Sequence, residues 1–591
     1  MPILHFSGNF NFQVPYFNNE PKNDARNPDS YDLQIGDKNL KVKFDKNLTP
    51  AEVHKRLLCD PTKYFEFEFS EVYVRRITYD DGSCTDRDGI YDPIIGERVM
   101  LRCILVDVSP RLQHGQFFAG EFRVVDAMIG KVNRALQSDV YTNIRSKDSA
   151  DFFAAAAHFE TTLYDVYRLE GPGISKENSR YLREVKDVLD NLKIYIQVSR
   201  YDVSKNMGNV YGYVSRAVPE ANSKGVRLNA RPLVSDSDLS TEVYNDFHLP
   251  DVIEGSYDIL DNERIIVLRY LDFIPFIDRN YHTPIGYKYF VHLFDGQKEV
   301  STKTKTDLEF SGYHNEMLQS GGVQTFIIPD EVTDLSNLTI KIRVKKNGWD
   351  SESSLMVEPN WSLALDENHK AIKIGSRQQS SINARIYLNN QLATQPVKVY
   401  FESQENDASP IVAQFTKQED TTSSGNISGL IQAHDLENSE EIDDPVTKDD
   451  PDTKGKLSGI LPWDRYYGNF VSIKIGNRTN PEAQIDIPVR VLHTVNPDDI
   501  PKNKISFKNH ILPLLSYYLR YYPWLHVTVM ACQYRQFLDL NDASAIKDII
   551  SEITTRLEKD DDDWQKMPRP RDFPINGWKL FKRLEKEDML I

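Results

Sequence analysis

The segment YFEFEFSEVYV, residues 64–74, alternates aromatic or β-branched side chains with polar ones. Successive side chains of a strand point to opposite faces, so this period of two builds one apolar and one wettable face. A helix could not hold such a pattern on one side. The same signature recurs through the first 250 residues, with Val99 to Val108 and Lys193 to Val198 as further strands. One helix interrupts it, over Ser175 to Leu192. There Leu182, Val185, Val188, Leu189 and Leu192 recur at helical spacing behind the turn Gly171-Pro172-Gly173.

A second β region begins near Tyr257. It takes in the apolar run Arg264 to Phe276, broken by Pro275, and the alternating Leu338 to Val344. A third runs from Trp361 to Val495, where Ser381 to Leu388, Val397 to Glu402, Phe470 to Ile475 and Ile485 to Leu492 read as strands of an immunoglobulin-like sandwich. Inside it, residues 435–452 carry nine acids and one lysine. No DxDxDG spacing is present to arrange those carboxylates around calcium, so this stretch reads as a solvated loop.

After the turn cluster Asn496-Pro497-Asp498-Asp499 the pattern becomes helical. Ile505 to Trp524 forms a tyrosine-rich amphipathic helix, and Ala543 to Leu557 aligns Ile546, Ile549, Ile550, Ile553 and Leu557 on one stripe. The fold expected is mainly β: a multi-domain β-sandwich protein with an immunoglobulin-like third domain and a C-terminal helical appendage. The expected domains are 1–250, 251–360, 361–497 and 498–591.

Charge and composition narrow the function. The net charge is -17, and no basic stripe is present to neutralise phosphates, which disfavours nucleic acid as a ligand. No run of about 18 apolar residues spans a membrane, and the N-terminus MPILHFSGNFNFQVPYF lacks a basic n-region and a long apolar h-region. A cytoplasmic location is expected, with export by a route lacking a cleaved signal as the alternative. Cys59, Cys84, Cys103 and Cys532 include no CxxC pair and read as buried free thiols.

Catalytic signatures do not emerge. None of the 13 histidines follows a glutamate by three positions, and HExxH, GxSxG and GxxxxGK are all missing from the sequence. His158, beside Ala154 to Ala157, reads as a packed histidine. Arg75 and Arg76 are adjacent strand residues that face opposite ways and cannot form one clamp. No catalytic residue, cofactor or metal is expected. The most suggestive surface is the aromatic helix, where Tyr518, Tyr521, Tyr522 and Trp524 widen the apolar band and are candidates for partner binding.

Several segments, in order, resemble the N-terminal, non-catalytic region of the family of the violacein-pathway enzyme VioB and its indolocarbazole counterpart RebD, which couple imines of aromatic pyruvates oxidatively. They are MPILHF at the start, DPIIGERVMLRCILVDVSPRLQHGQFFAGEF at 92–122, LKIYIQVSRYDV at 192–203 with Gly212, and NERIIVLRYLDFIPF at 262–276. IDIPVRVL at 485–492, SYYLRYYPWL at 516–525 and MPRPRD at 567–572 complete the set. In that family a ferritin-like helical domain follows and carries the oxidative chemistry. Here 19 residues follow MPRPRD. The resemblance therefore implies a scaffold or companion subunit for a separately encoded ferritin-like oxidase, in a homo- or hetero-oligomer. A structural or cargo component of a larger bacterial assembly, and a stand-alone enzyme acting on aromatic 2-imino acids, are the alternatives.

Overall fold

A computed structural model describes residues 2–12, 31–35, 38–42, 66–107, 114–132, 138–141, 156–202, 207–236, 254–269, 287–300, 307–308, 318–365, 372–403, 413–433, 470–492, 494–511, 514, 543–559 and 573–587, less 87, 169–170, 172, 186–188, 262–263, 376, 423 and 478–479. Within these the chain is a mainly β, multi-domain protein.

The first unit is a closed barrel. Ile3–Phe12 pairs on one side with Val72–Thr78 and on the other with Met207–Arg216. From Met207–Arg216 the antiparallel ladder runs through Leu192–Asp202, Ala156–Arg168, Met128–Val132, His114–Val124 and Arg98–Asp107, and returns to Val72–Thr78. Closure removes the exposed strand edges that an open sheet would leave. Inward positions are apolar, with Leu4, Phe6, Leu101, Phe122, Leu163 and Ile194 in one core cluster. Outward positions such as Arg98, Arg102, Glu121 and Lys131 are exposed, the reverse of a lipid-facing barrel. The interior is tight at Gly212, where a Cβ would stand 2.4 Å from both Phe6 Cζ and the Tyr195 carbonyl oxygen.

The helix expected over Ser175 to Leu192 is shorter, Arg180–Glu184. Its start is fixed by Asp92, whose buried carboxylate accepts from Ser179 Oγ at 2.9 Å and from the Tyr181 N–H at 3.0 Å. Leu192 already belongs to the barrel, opposite Leu163 and Arg216. Two ladders of hydrogen bonds hold that end extended, and a helix this short has little intrinsic stability to oppose them.

The second unit is a nine-stranded antiparallel sheet. It begins at Arg231–Ser235, which pairs with Glu254–Leu260 and Ser353–Val357, so it includes a strand on the N-terminal side of the expected boundary at 250/251. Its strand Ile265–Arg269 is buried at every position. One face of that strand closes the unit's own core with Tyr257, Phe326 and Ile342, and the other lies against the barrel wall.

The third unit is a sandwich of two five-stranded sheets over a common core. One sheet runs Trp361–Leu365, Gln379–Leu388, Asn426–Ala433, Ala413–Phe415. The other carries Ile372–Gly375, Asn480–Leu492, Phe470–Asn477, Val397–Ser403 and Glu419–Thr422. This is an immunoglobulin-like arrangement, with Ile372–Gly375 running parallel to Asn480–Leu492.

In the C-terminal unit, Ala543–Asp548, Ile550–Glu558 and Gly577–Leu584 share a core with Phe507, Ile511 and Leu514. The stripe expected as one helix over Ala543 to Leu557 is divided at Ile549, whose φ of -119° and ψ of 16° leave the helical region. Cys84 and Cys103 are buried free thiols. Cys59, Cys532, the acidic stretch 435–452 and MPRPRD at 567–572 lie outside the described residues. Among the described residues no helix is long and apolar enough to cross a membrane.

Substituting Gly212→Ala forces a methyl group against an aromatic ring and a backbone carbonyl that cannot both retreat. The expected cost is about 1–3 kcal/mol. Chemical denaturation measures it, and an unchanged midpoint contradicts the tight barrel interior.

Candidate functional site: the junctions between the units

Barrel and second sheet meet across charged side chains taken out of water. Lys193 and Glu160 project outward from neighbouring barrel strands, and Asp258 and Arg269 project from the sheet to meet them. Lys193 Nζ lies 2.5 Å from Asp258 Oδ2 and 3.3 Å from Glu160 Oε1, while Arg269 Nη2 lies 2.6 Å from Asp258 Oδ2 and 2.7 Å from Glu160 Oε2. Two cations and two carboxylates therefore balance.

The remaining valences are also used. Arg269 donates to Ser256 Oγ at 2.8 Å and to the Tyr213 oxygen at 3.2 Å, and the Ala230 N–H donates to Asp258 Oδ1 at 2.8 Å. Tyr195 and Tyr213, opposite each other on the barrel wall, stack at 5.2 Å, and Tyr195 lies beneath the Arg269 guanidinium. Burial pulls the Lys193 ammonium toward its neutral form, but Asp258 and Glu160 outweigh it and leave its pKa raised. Burial pushes the Tyr213 phenol up to about 12 against the opposing pull of Arg269 and Lys193.

A second network joins the sheet to the sandwich. The Glu358 carboxylate accepts from Arg231 Nη2 at 2.8 Å, from the Ile340 N–H at 2.7 Å, from Asn390 Nδ2 at 2.5 Å, and from the Tyr257 hydroxyl. Arg231 is fully buried and also donates to the Leu338 carbonyl at 2.6 Å. Asn390 is delivered by a two-residue hairpin turn in which Asn389 and Asn390 have φ of 47° and 62°. Asparagine tolerates that left-handed backbone, which a tight hairpin needs at both positions. The Asn390 carbonyl then accepts from the Arg227 N–H at 2.8 Å, so one turn grips both the sheet and the segment leading out of the barrel.

Between the junctions lies a cleft of about 640 Å³, lined from all three β units. Its ionic groups are Arg216, Glu220, Asp261 and Arg385, with the amides of Asn191, Asn222 and Asn229 beside them. The lining contains no histidine, cysteine, serine, lysine or tyrosine. The groups present offer hydrogen bonds and charge, with the Glu220 and Asp261 carboxylates and the Thr162 hydroxyl as the reactive types among them. Among the described residues no group of three or more His, Cys, Asp or Glu could hold a metal ion.

Tyr518, Tyr521, Tyr522 and Trp524 lie outside the described residues. His158 sits on Ala156–Arg168, in register with Gln197. Arg76 is buried and binds Asp86 through Nε at 2.8 Å and Nη2 at 2.6 Å, whereas Arg75 extends over the Tyr73 ring. Sequence reasoning missed Glu160, Lys193, Asp258, Arg269, Arg231 and Glu358. One available signal was a charge inside an apolar strand, as in LKIYIQV and IIVLR.

No family model matches this chain, and no curated protein matches it. Solved structures similar to it include domains 4 and 5 of the S-layer protein SbsC, with 12% identity over 34% of this chain and 89% of that one and a TM-score of 0.14. A β-glycosidase from Bacteroides vulgatus has 11% identity over 44% of this chain and 25% of its own length, with a TM-score of 0.14. A longer SbsC fragment, residues 31–844, has 8% identity over 68% of this chain and 53% of that one, with a TM-score of 0.15. Likeness at this level carries no function, and the fold rests on the strand pairings above.

Lys193→Met removes one cation and leaves two carboxylates against a single guanidinium, with an expected loss of about 3–5 kcal/mol in chemical denaturation. A loss below about 1 kcal/mol contradicts a buried network. Alkali supplies a second test. A phenol with a raised folded pKa contributes stability in full below its unfolded value near 10, and loses it as pH rises through about 12. Tyr213→Phe is therefore expected to flatten the fall in stability above about pH 10. An identical slope in both proteins contradicts the assignment.

Proposed function

We propose that this chain is a non-catalytic scaffold subunit that holds a separately encoded ferritin-like oxidative coupling enzyme of aromatic secondary metabolism. The observation that carries this reading is the pair of buried ionic junctions, at Lys193/Asp258/Arg269/Glu160 and at Arg231/Glu358/Asn390. A hinge between domains is expected to keep its interface small and wet. These interfaces bury multiply bonded charge pairs, which suits a support more than a moving part.

Two further points favour it. The segments from MPILHF to MPRPRD, in the same order along the chain, resemble the region that precedes a ferritin-like domain in the VioB/RebD family. A stand-alone enzyme has the interdomain cleft as its natural site, and the described lining of that cleft holds no histidine, cysteine, serine, lysine or tyrosine.

Affinity purification of the tagged chain from its native host at low salt tests the proposal. The expected result is stoichiometric recovery of a helical carboxylate oxidase, with iron in the complex and coupling activity that the isolated chain lacks. Recovery of this chain alone, or turnover of aromatic 2-imino acids by the isolated chain, contradicts it.

A further inference from the structure

The barrel wall turned away from the second sheet carries a patterned face. Across four neighbouring strands, the register places Met100, Arg123, Ile129 and Tyr167 in one outward row. The adjacent row is Arg102, Glu121, Lys131 and Tyr164. Tyr167 is 54% exposed, Met100 42% and Tyr164 36%, three of the few large apolar side chains that are exposed among the described residues.

A local backbone distortion produces this display. Residues three apart on a regular strand point to opposite faces, so Tyr164 and Tyr167 should not share one. The ladder shifts register between them, and Asp165 has a φ of 49°. Leu163 and Val166 consequently both face the barrel core while both tyrosines face out. Bulges that re-aim side chains, and left-handed backbone at a non-glycine residue, concentrate where a surface is used. Asp165 also supplies a charge beside the second row, 2.8 Å from Lys131 Nζ.

With Asp165, in the bulge beside Tyr164, the charges across the four strands run Arg102, Glu121, Lys131, Asp165: plus, minus, plus, minus. Reversed, the order becomes minus, plus, minus, plus, which is its own complement. A two-fold axis running along the strands, between His114–Val124 and Met128–Val132, sets Arg102 of one copy against Asp165 of the other, and Glu121 against Lys131. In the neighbouring row the same axis sets Met100 against Tyr167, a sulfur–aromatic pairing, and the Arg123 stem against Ile129. Isologous interfaces require this self-complementarity. Tyrosine, methionine and arginine are also the residues that contact surfaces favour.

We propose that this barrel face is a homodimer interface, and its occupant a second copy of this chain. The dimer uses no residue of the C-terminal helical unit, so its test is independent of the partner proposed above.

Sedimentation equilibrium on the full chain, up to about 100 μM so that a micromolar interface is populated, tests it. The wild type is expected to dimerise. Lys131→Glu alone and Glu121→Lys alone each place like charges opposite one another, and each is expected to weaken the dimer tenfold or more. The double variant exchanges the signs and is expected to regain most of the affinity, because the reversed row is again complementary. Tyr167→Glu, at an exposed site, is expected to give a monomer with unchanged circular dichroism. A monomeric wild type, a dimer indifferent to these changes, or single variants that the double variant fails to rescue overturns the proposal.

Discussion

Two cations and two carboxylates shut between barrel and sheet govern the architecture. Lys193, Arg269, Asp258 and Glu160 could each be satisfied in water, so burying them gains stability only if all four stay together. Their real effect is on specificity. A slip of one residue in Leu192–Asp202 would turn Lys193 into the barrel core and Ile194 out to the sheet, breaking both environments at once. The network therefore fixes the register of the barrel wall together with the way the second unit seats on it.

The second network extends this logic to the sandwich. Glu358 stands where the chain leaves the sheet, and its carboxylate draws in Arg231, Tyr257, the Ile340 backbone and Asn390. Asn390 reaches it only because the Asn389-Asn390 hairpin adopts the left-handed turn. Backbone geometry, side-chain length and charge must agree at one point for three domains to align. The cleft of about 640 Å³ is the gap left between domains held in this way. Its lining is mixed: the charged and amide groups stand beside Val218, Leu228 and Leu260, which belong to the core of the second unit.

Much of the β content was legible because period-two patterning reports burial directly. Leu338–Lys346 alternates buried and partly exposed positions as its sequence requires, and Lys193 to Val198 forms part of a strand as expected. Barrel closure was not legible. Alternation tells which face of Arg98–Asp107 is buried but not that His114–Val124 lies on one side of it and Val72–Thr78 on the other. The helix over 175–192 was overread because Leu189 and Leu192 fall at helical spacing from Leu182 and Val185, yet Leu192 is claimed by the barrel ladder. The ionic junctions escaped because a lone charge in a strand looks the same whether it meets water or a partner contributed from 65 residues away, as Asp258 is for Lys193.

The account stands on cooperativity: if the buried charges weld barrel and sheet, the two cannot open separately. Native-state hydrogen exchange in low denaturant measures this directly, comparing amides of Leu192–Asp202 in the barrel with those of Ile265–Arg269 in the sheet. The expected result is that both strands exchange through a single opening with the same free energy and the same denaturant dependence. Sheet amides that exchange through a smaller, separate opening while the barrel stays protected would contradict it.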